Sequence, residues 1–130
     1  MSVMRCCLAG VSPTATGLLT EALDGAGCHL PLVAGPINVT QLGLTSTGLL
    51  IVDIDALDVD PIELLRMTRF VLPDCIIAVY TSRRSLEWVR ACHIAGANCV
   101  LSKESSKAAL VFGLKRTLMI GCFTDPKFAA

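Results

Sequence analysis

The sequence predicts an α/β domain: five parallel strands in one sheet, with helices on both faces. Three observations lead there. Short apolar runs alternate with segments of helical spacing five times along the 130 residues, and such alternation closes most simply as a parallel sheet with right-handed crossovers. The run Leu49-Leu50-Ile51-Val52 is apolar without alternation and ends abruptly at Asp53, as a central strand covered on both faces does. The composition is 53% hydrophobic yet only 5% aromatic, so Leu, Val, Ile and Ala must fill the interior, as buried parallel strands and their covering helices require. A chain of this length makes one domain that buries a real core without disulfides or metal.

The elements follow in order. Arg5 to Ala9 is a first strand, closed by Gly10. Ser12-Pro13 is a helix start, Ser as N-cap and Pro at the first helical position; Leu18, Leu19, Ala22 and Leu23 supply its apolar stripe, and Gly25 or Gly27 stops it. Leu30 to Ala34 is a second strand, broken by Gly35-Pro36, and Val39 to Leu44 makes a short, poor helix. The strand to Asp53 follows, then a loop with Asp55, Asp58 and Asp60, and Pro61 opens a helix through Phe70. Pro73-Asp74 punctuates; Cys75 to Tyr80 is the fourth strand, ending at Thr81-Ser82. Ser85 begins a helix whose Leu86, Val89 and Cys92 face inward, and Gly96 closes it. Asn98 to Leu101 is the fifth strand, ending at Ser102-Lys103; Ser105 or Ser106 caps a last helix that fades by Gly121 to Pro126.

Bulk properties exclude several function classes. Lysine plus arginine number 11, as do aspartate plus glutamate, so no global field draws the chain to nucleic acid or an anionic membrane, and no direct nucleic-acid contact is expected. No apolar run is long enough to span a bilayer, and Met1 to Leu8 is too soon broken by Gly10 and Pro13 to be a signal peptide, so a cytoplasmic location is expected. The cysteines number seven, an odd count. Cys6, Cys7, Cys75 and Cys99 lie in or beside strand-like runs, as small buried hydrophobes do in a reducing compartment. No Cys-x-x-Cys or His pair at ligand spacing points to zinc, and His29 and His93 are isolated. The adjacent Cys6-Cys7 pair leaves one alternative open, a cysteine-based redox sensor.

Three strands end in polar groups: Asp53, Thr81 and Lys103. The carboxyl ends of a parallel sheet converge on one rim, where open α/β sheets place their ligands. An acceptor or nucleophile, a hydroxyl and a cation together suit the handling of a phosphoryl group. The same trio has a plain structural account, in which Lys103 neutralises Asp53 and Thr81 satisfies nearby backbone. No nucleophile–base pair or Gly-rich phosphate loop suggests a metabolic enzyme.

These residues resemble a family, the response-regulator receiver domains. Leu49 to Leu65, LLIVDIDALDVDPIELL, is similar to the receiver segment in which a phosphoacceptor Asp closes strand three, with Asp60-Pro61-Ile62-Glu63 at the Asp-Gly-x-Glu helix start. Ile76 to Lys103 adds Thr81 after strand four, the Ala95-Gly96-Ala97 turn and Lys103 after strand five. Ser12-Pro13 and Lys103-Glu104-Ser105 resemble the subgroup attached to LuxR-type helix-turn-helix domains. The resemblance implies a flavodoxin/CheY-like fold of strand order 2-1-3-4-5 over residues 1–121, with 122–130 the start of a linker or tail. It also implies Asp53, Thr81 and Lys103 as the site.

Departures from the pattern redirect the function. The two acids that hold Mg²⁺ in a working receiver align with Gly10 and Val11, and Mg²⁺ requires oxygen ligands. No aromatic stands in Cys99-Val100-Leu101, where receivers carry a switch ring. The resemblance therefore implies an atypical receiver of a two-component-type transcriptional regulator, non-enzymatic and without cofactor. It would signal without aspartyl phosphorylation, through dimerisation or a bound partner or ligand. The implied partners are a second copy, a C-terminal or separate DNA-binding output domain, and a histidine kinase or other regulator. The alternative is a conventional receiver phosphorylated at Asp53, with Mg²⁺ held by Asp53 and Asp55. Leu110, Leu114 and Leu118, with Phe112 beside them, make the last helix apolar beyond one stripe and mark it as an interface.

Overall fold

A computed structural model describes residues 5–35, 47–56 and 59–129. The strands are β1 (Arg5–Ala9), β2 (Leu32–Gly35), β3 (Thr47–Asp53), β4 (Ile76–Thr81), β5 (Cys99–Ser102) and β6 (Phe123–Thr124). The helices are α1 (Pro13–Gly25), α2 (Pro61–Val71), α3 (Leu86–Ala95) and α4 (Lys107–Ile120), with 3₁₀ turns at Ile54–Ala56 and Pro126–Ala129. All strand pairs are parallel and the sheet runs β2-β1-β3-β4-β5-β6. The expected helix at Val39–Leu44, and Asp58 of the acidic loop, lie outside the described residues.

Helix starts fall where side-chain oxygens can take the orphan amides. Ser12, Asp60, Ser85 and Ser106 accept from the N–H groups of Ala15, Ile62, Trp88 and Ala109, each such cap being worth about 1 kcal/mol. Ser106, not Ser105, is thus the cap of α4. Leu86 corrects an expectation: it is exposed, because it opens the first turn of α3, and the inward stripe is Val89, Cys92 and Ala95.

Alternate side chains along β1 and β3 feed two cores. Cys6, Leu8, Leu49 and Ile51 pack with Leu19 and Leu23 of α1 and Leu110 and Leu114 of α4. Cys7, Ala9, Leu50 and Val52 pack on the other face with Leu65 of α2 and with Val89 and Cys92 of α3. Cys6 and Cys7 therefore point to opposite faces of one strand. Burial pushes the Cys6, Cys92 and Cys99 thiols up to about 12 and Cys75 up to about 11. The expectation that Cys6, Cys7, Cys75 and Cys99 are buried holds.

The sheet departs from the expected five strands at its edge. Phe123 and Thr124, inside the segment read as a linker or tail, add a sixth strand: the Phe123 N–H donates to Asn98 O (3.0 Å) and the Asp125 N–H to Val100 O (3.1 Å). Phe128 then inserts into the α2/α3 core, and the buried Asp125 carboxylate takes the Ser105 hydroxyl. Gly113 makes this possible, since a Cβ there would stand 2.6 Å from the Phe123 ring. A glycine inside a helix costs about 1 kcal/mol, and here it lets α4 approach the added strand.

At the amino ends of β4 and β5, Arg69 of α2 gathers the surrounding loops. Its guanidinium donates to the carbonyls of Leu72, Pro73, Cys75 and Gly96 and to the Asn98 Oδ1, at 2.6–3.2 Å. Gly96 closes α3 at φ +126°, and a Cβ there would lie 2.8 Å from the Arg69 Cβ. Asn98 continues the connection, accepting from the Ile77 N–H and donating to Gly121 O. His93 is structural as well: its Nδ1 faces the Ala97 carbonyl, so that nitrogen carries a proton, and Nε2 pairs with the Thr124 hydroxyl. No helix among the described residues is long and apolar enough to cross a membrane.

Candidate functional site at the carboxyl ends of the strands

Register brings the polar strand ends together. Asp53 lies opposite Tyr80 and Thr81 opposite Ser102, and the Lys103 N–H donates to Thr81 O (2.9 Å). The Lys103 Nζ then reaches back over the rim to Asp53 Oδ2 (2.8 Å) and to Asp55 Oδ2 (3.1 Å). The sequence thus named residues that do meet in space. Lys103 binds both acids, so the expected Asp53–Lys103 pair is one side of a three-group bridge.

Asp55 reaches the bridge through the 3₁₀ turn. Its N–H donates to Asp53 Oδ1 (3.1 Å), a local turn typical of aspartate, and the buried Ile54 pins the turn to the core. The Asp55 carboxylate accepts the Thr81 hydroxyl at Oδ1 (2.7 Å), and at Oδ2 the Ser82 N–H (2.7 Å) and the Ser82 hydroxyl (2.9 Å). The Thr81 Oγ1 in turn accepts from the Arg83 N–H (3.1 Å). Thr81 therefore serves a carboxylate rather than the backbone alone. Partial burial pushes the Asp55 carboxyl up, but the bonds from Thr81, Ser82 and Lys103 outweigh it and hold the group down at about 2. Burial likewise pulls Lys103 down, and its bonds to Asp53 and Asp55 more than restore it, leaving it above the ordinary lysine value.

Gly10 adjoins this rim: a Cβ on it would stand 3.4 Å from the Asp53 carbonyl oxygen. Neither Gly10 nor Val11 offers a side-chain oxygen there. Mg²⁺ demands near-octahedral oxygen ligation, and a cation entering between Asp53 and Asp55 would have to displace a like charge. Here Asp53 Oδ2 and Asp55 Oδ2 face an ammonium, and Asp55 Oδ1 holds Thr81. The donor set in this arrangement does not fit Mg²⁺. Among the described residues no group of three or more His, Cys, Asp or Glu side chains could hold a metal ion.

The expected interface divides. Leu110 and Leu114 are fully buried against the sheet, because α4 turns that row inward onto β5. They are core residues and not surface. Phe112, Leu118, Met119 and Ile120 are exposed, and Phe112 meets Phe123 edge to face, ring centroids 5.9 Å apart. Around the rim, Arg83 stacks on Trp88 and Arg84 pairs with Glu104. Sequence reasoning missed Ser82; its adjacency to Thr81 at the end of β4 was the available signal.

No family model and no curated protein matches the chain. Solved structures do. The isolated receiver domain of RcsB from Salmonella enterica serovar Typhimurium, determined in the presence of the phosphomimetic BeF₃⁻, superimposes with a TM-score of 0.80 at 17% identity, covering 98% of this chain and 97% of that one. A LuxR-family two-component response regulator from Aurantimonas gives 0.74 at 17% identity, over 99% and 94%. A pilus assembly-related protein from Burkholderia pseudomallei gives 0.72 at 20% identity, over 95% and 94%. The chain therefore has the fold of response-regulator receiver domains, the CheY-like α/β fold. The particular neighbours span a LuxR-family regulator and a pilus-assembly-related protein, so the likeness is one of architecture.

Proposed function

We propose that this chain is an atypical receiver-type signalling domain that works without aspartyl phosphorylation and passes its signal by association, with a second copy, a partner protein or a ligand. One observation carries the reading: the Asp53 carboxylate is engaged by Lys103, and the positions that would bring metal-binding acids beside it are Gly10 and Val11. Without a divalent cation to neutralise the incoming phosphodonor, in-line transfer to Asp53 loses its main charge stabilisation. The domain is then no enzyme, and it uses no cofactor.

Its output, on this reading, is a DNA-binding domain elsewhere in the polypeptide or on a partner, with the domain in the cytoplasm and paired as a homodimer. The LuxR-family neighbour supports that output, and the subgroup motifs Ser12-Pro13 and Lys103-Glu104-Ser105 point the same way. A redox role for Cys6 and Cys7 has less support. Both are buried, on opposite faces of β1, and burial keeps the Cys6 thiol protonated.

Intact mass after incubation with acetyl phosphate and Mg²⁺ tests the proposal, with Asp53→Asn as control. No phosphoryl-sized gain is expected in either protein. A gain in wild type that is absent from Asp53→Asn overturns the proposal in favour of a conventional receiver phosphorylated at Asp53.

A further inference from the structure

We propose that Asp55 is a resident anion: its carboxylate fills the donor set that a phosphate-like oxyanion would fill, and so holds the turn after β4 in an anion-bound arrangement with no phosphoryl group present. The inference rests on the reading that Asp53 is not phosphorylated, and adds how the rim is kept in one state without it.

The donors carry the argument. Two hydroxyls, one backbone amide and one ammonium, from Thr81, Ser82 and Lys103, converge on the two oxygens of one carboxylate within 2.7–3.1 Å. Charge-assisted donors of mixed origin, gathered from two separate strand ends, are what a multi-oxygen anion recruits. They belong to the segments Thr81–Ser82 and Lys103, so whatever anion sits among them ties β4, β5 and the start of the β4–α3 turn together. Through the Thr81 Oγ1 the hold extends to the Arg83 N–H (3.1 Å). Lys103 also bonds Asp53 at 2.8 Å, so one resident cation is shared between the two acids and offsets half of their charge. The misfit to Mg²⁺ has the same origin: the Lys103 ammonium holds the position between the two carboxylates that a cation would take.

The experiment compares wild type with Asp55→Ala and Asp55→Asn by amide hydrogen exchange and ¹H–¹⁵N spectra, in the presence and absence of inorganic phosphate. Asp55→Asn keeps the shape and removes the charge, and circular dichroism verifies that each variant is folded. In Asp55→Ala, exchange at Ser82 should accelerate by about tenfold or more, the factor that losing one charge-assisted hydrogen bond gives, with Asp55→Asn between. Inorganic phosphate should move the Ser82 and Arg83 resonances of Asp55→Ala back toward their wild-type positions and leave wild type unmoved. Unchanged exchange in both variants overturns the proposal. Faster exchange that phosphate does not reverse overturns it too, since Asp55 is then only a loop staple. The acetyl phosphate experiment reads the underlying proposal separately: a phosphoryl gain at Asp53 in wild type overturns that one whatever Ser82 does.

Discussion

Two polar hubs sit at opposite ends of the same sheet. At the amino ends of β4 and β5, the Arg69 cation gathers four carbonyls and the Asn98 amide. At the carboxyl ends, the Asp55 anion gathers two hydroxyls, an amide and an ammonium. Each ties loops from different strands to one charged group. Arg69 meets only backbone dipoles and a neutral amide, none of which can leave or titrate, so that hub is scaffold. The Asp55 hub is built from an ion pair and hydrogen bonds to a carboxylate, which salt screens and acid removes, so it is the end that responds to solution conditions. One sheet has a welded end and a titratable end.

Breaking the welded end should cost most. Arg69→Ala removes the guanidinium donors from the partly buried Cys75 and Gly96 carbonyls and from the Asn98 Oδ1, and a loss of about 3 kcal/mol is expected, read as a fall in the urea midpoint at unchanged slope. Gly96→Ala attacks the same hub from the other side, because its Cβ would press on the Arg69 side chain at φ +126°; about 2 kcal/mol is expected. Lys103→Met leaves the Asp53 and Asp55 carboxylates facing each other unneutralised, for about 1–2 kcal/mol. A stability difference between Lys103→Met and wild type that shrinks in high salt, with the Arg69→Ala difference unmoved, would sharpen the contrast between the two ends.

The smallest effect is a pH dependence. The Asp55 carboxyl is held at about 2 against its ordinary 3.8. Its stabilisation is therefore fully present above the ordinary value and is lost as the pH falls from about 4 toward 2. Denaturation midpoints of wild type and Asp55→Asn should differ at neutral pH and converge in that acid window. A difference that persists at pH 2 would place the Asp55 contribution in packing rather than charge.

Much of this was legible in the chain itself. Asp53 announced itself by ending an unbroken apolar run, Pro61 behind Asp60 marked a helix start, and Thr81 and Lys103 each followed a strand. Those signals are local. The Asp55 hub is not: it depends on a 3₁₀ turn that swings a carboxylate from the end of β3 toward the end of β4, and no spacing in one segment encodes that meeting. Arg69 reads in sequence as one more solvated arginine on a helix, and only the arrival of Gly96 and Asn98 from the next loop gives it partners. Leu110 and Leu114 were misassigned to an interface for a related reason. Periodicity shows that α4 has an apolar side, but which part of it the sheet covers is settled only by docking, which puts Leu110 and Leu114 in the core and leaves Phe112 and Leu118 outside.

The added strand β6 also limits how copies of this domain can meet. A sheet edge is dangerous when it presents a long row of unsatisfied amides and carbonyls, because another chain's strand can then zip onto it. The β5 edge is capped by a strand of two residues, Phe123–Thr124, which runs at once into the turn anchored by Asp125 and Phe128. So short a strand is a poor template for a neighbour's ladder. On that side, sheet extension is disfavoured, which leaves the helix surfaces as places where contacts can be made and released without rewiring backbone hydrogen bonds.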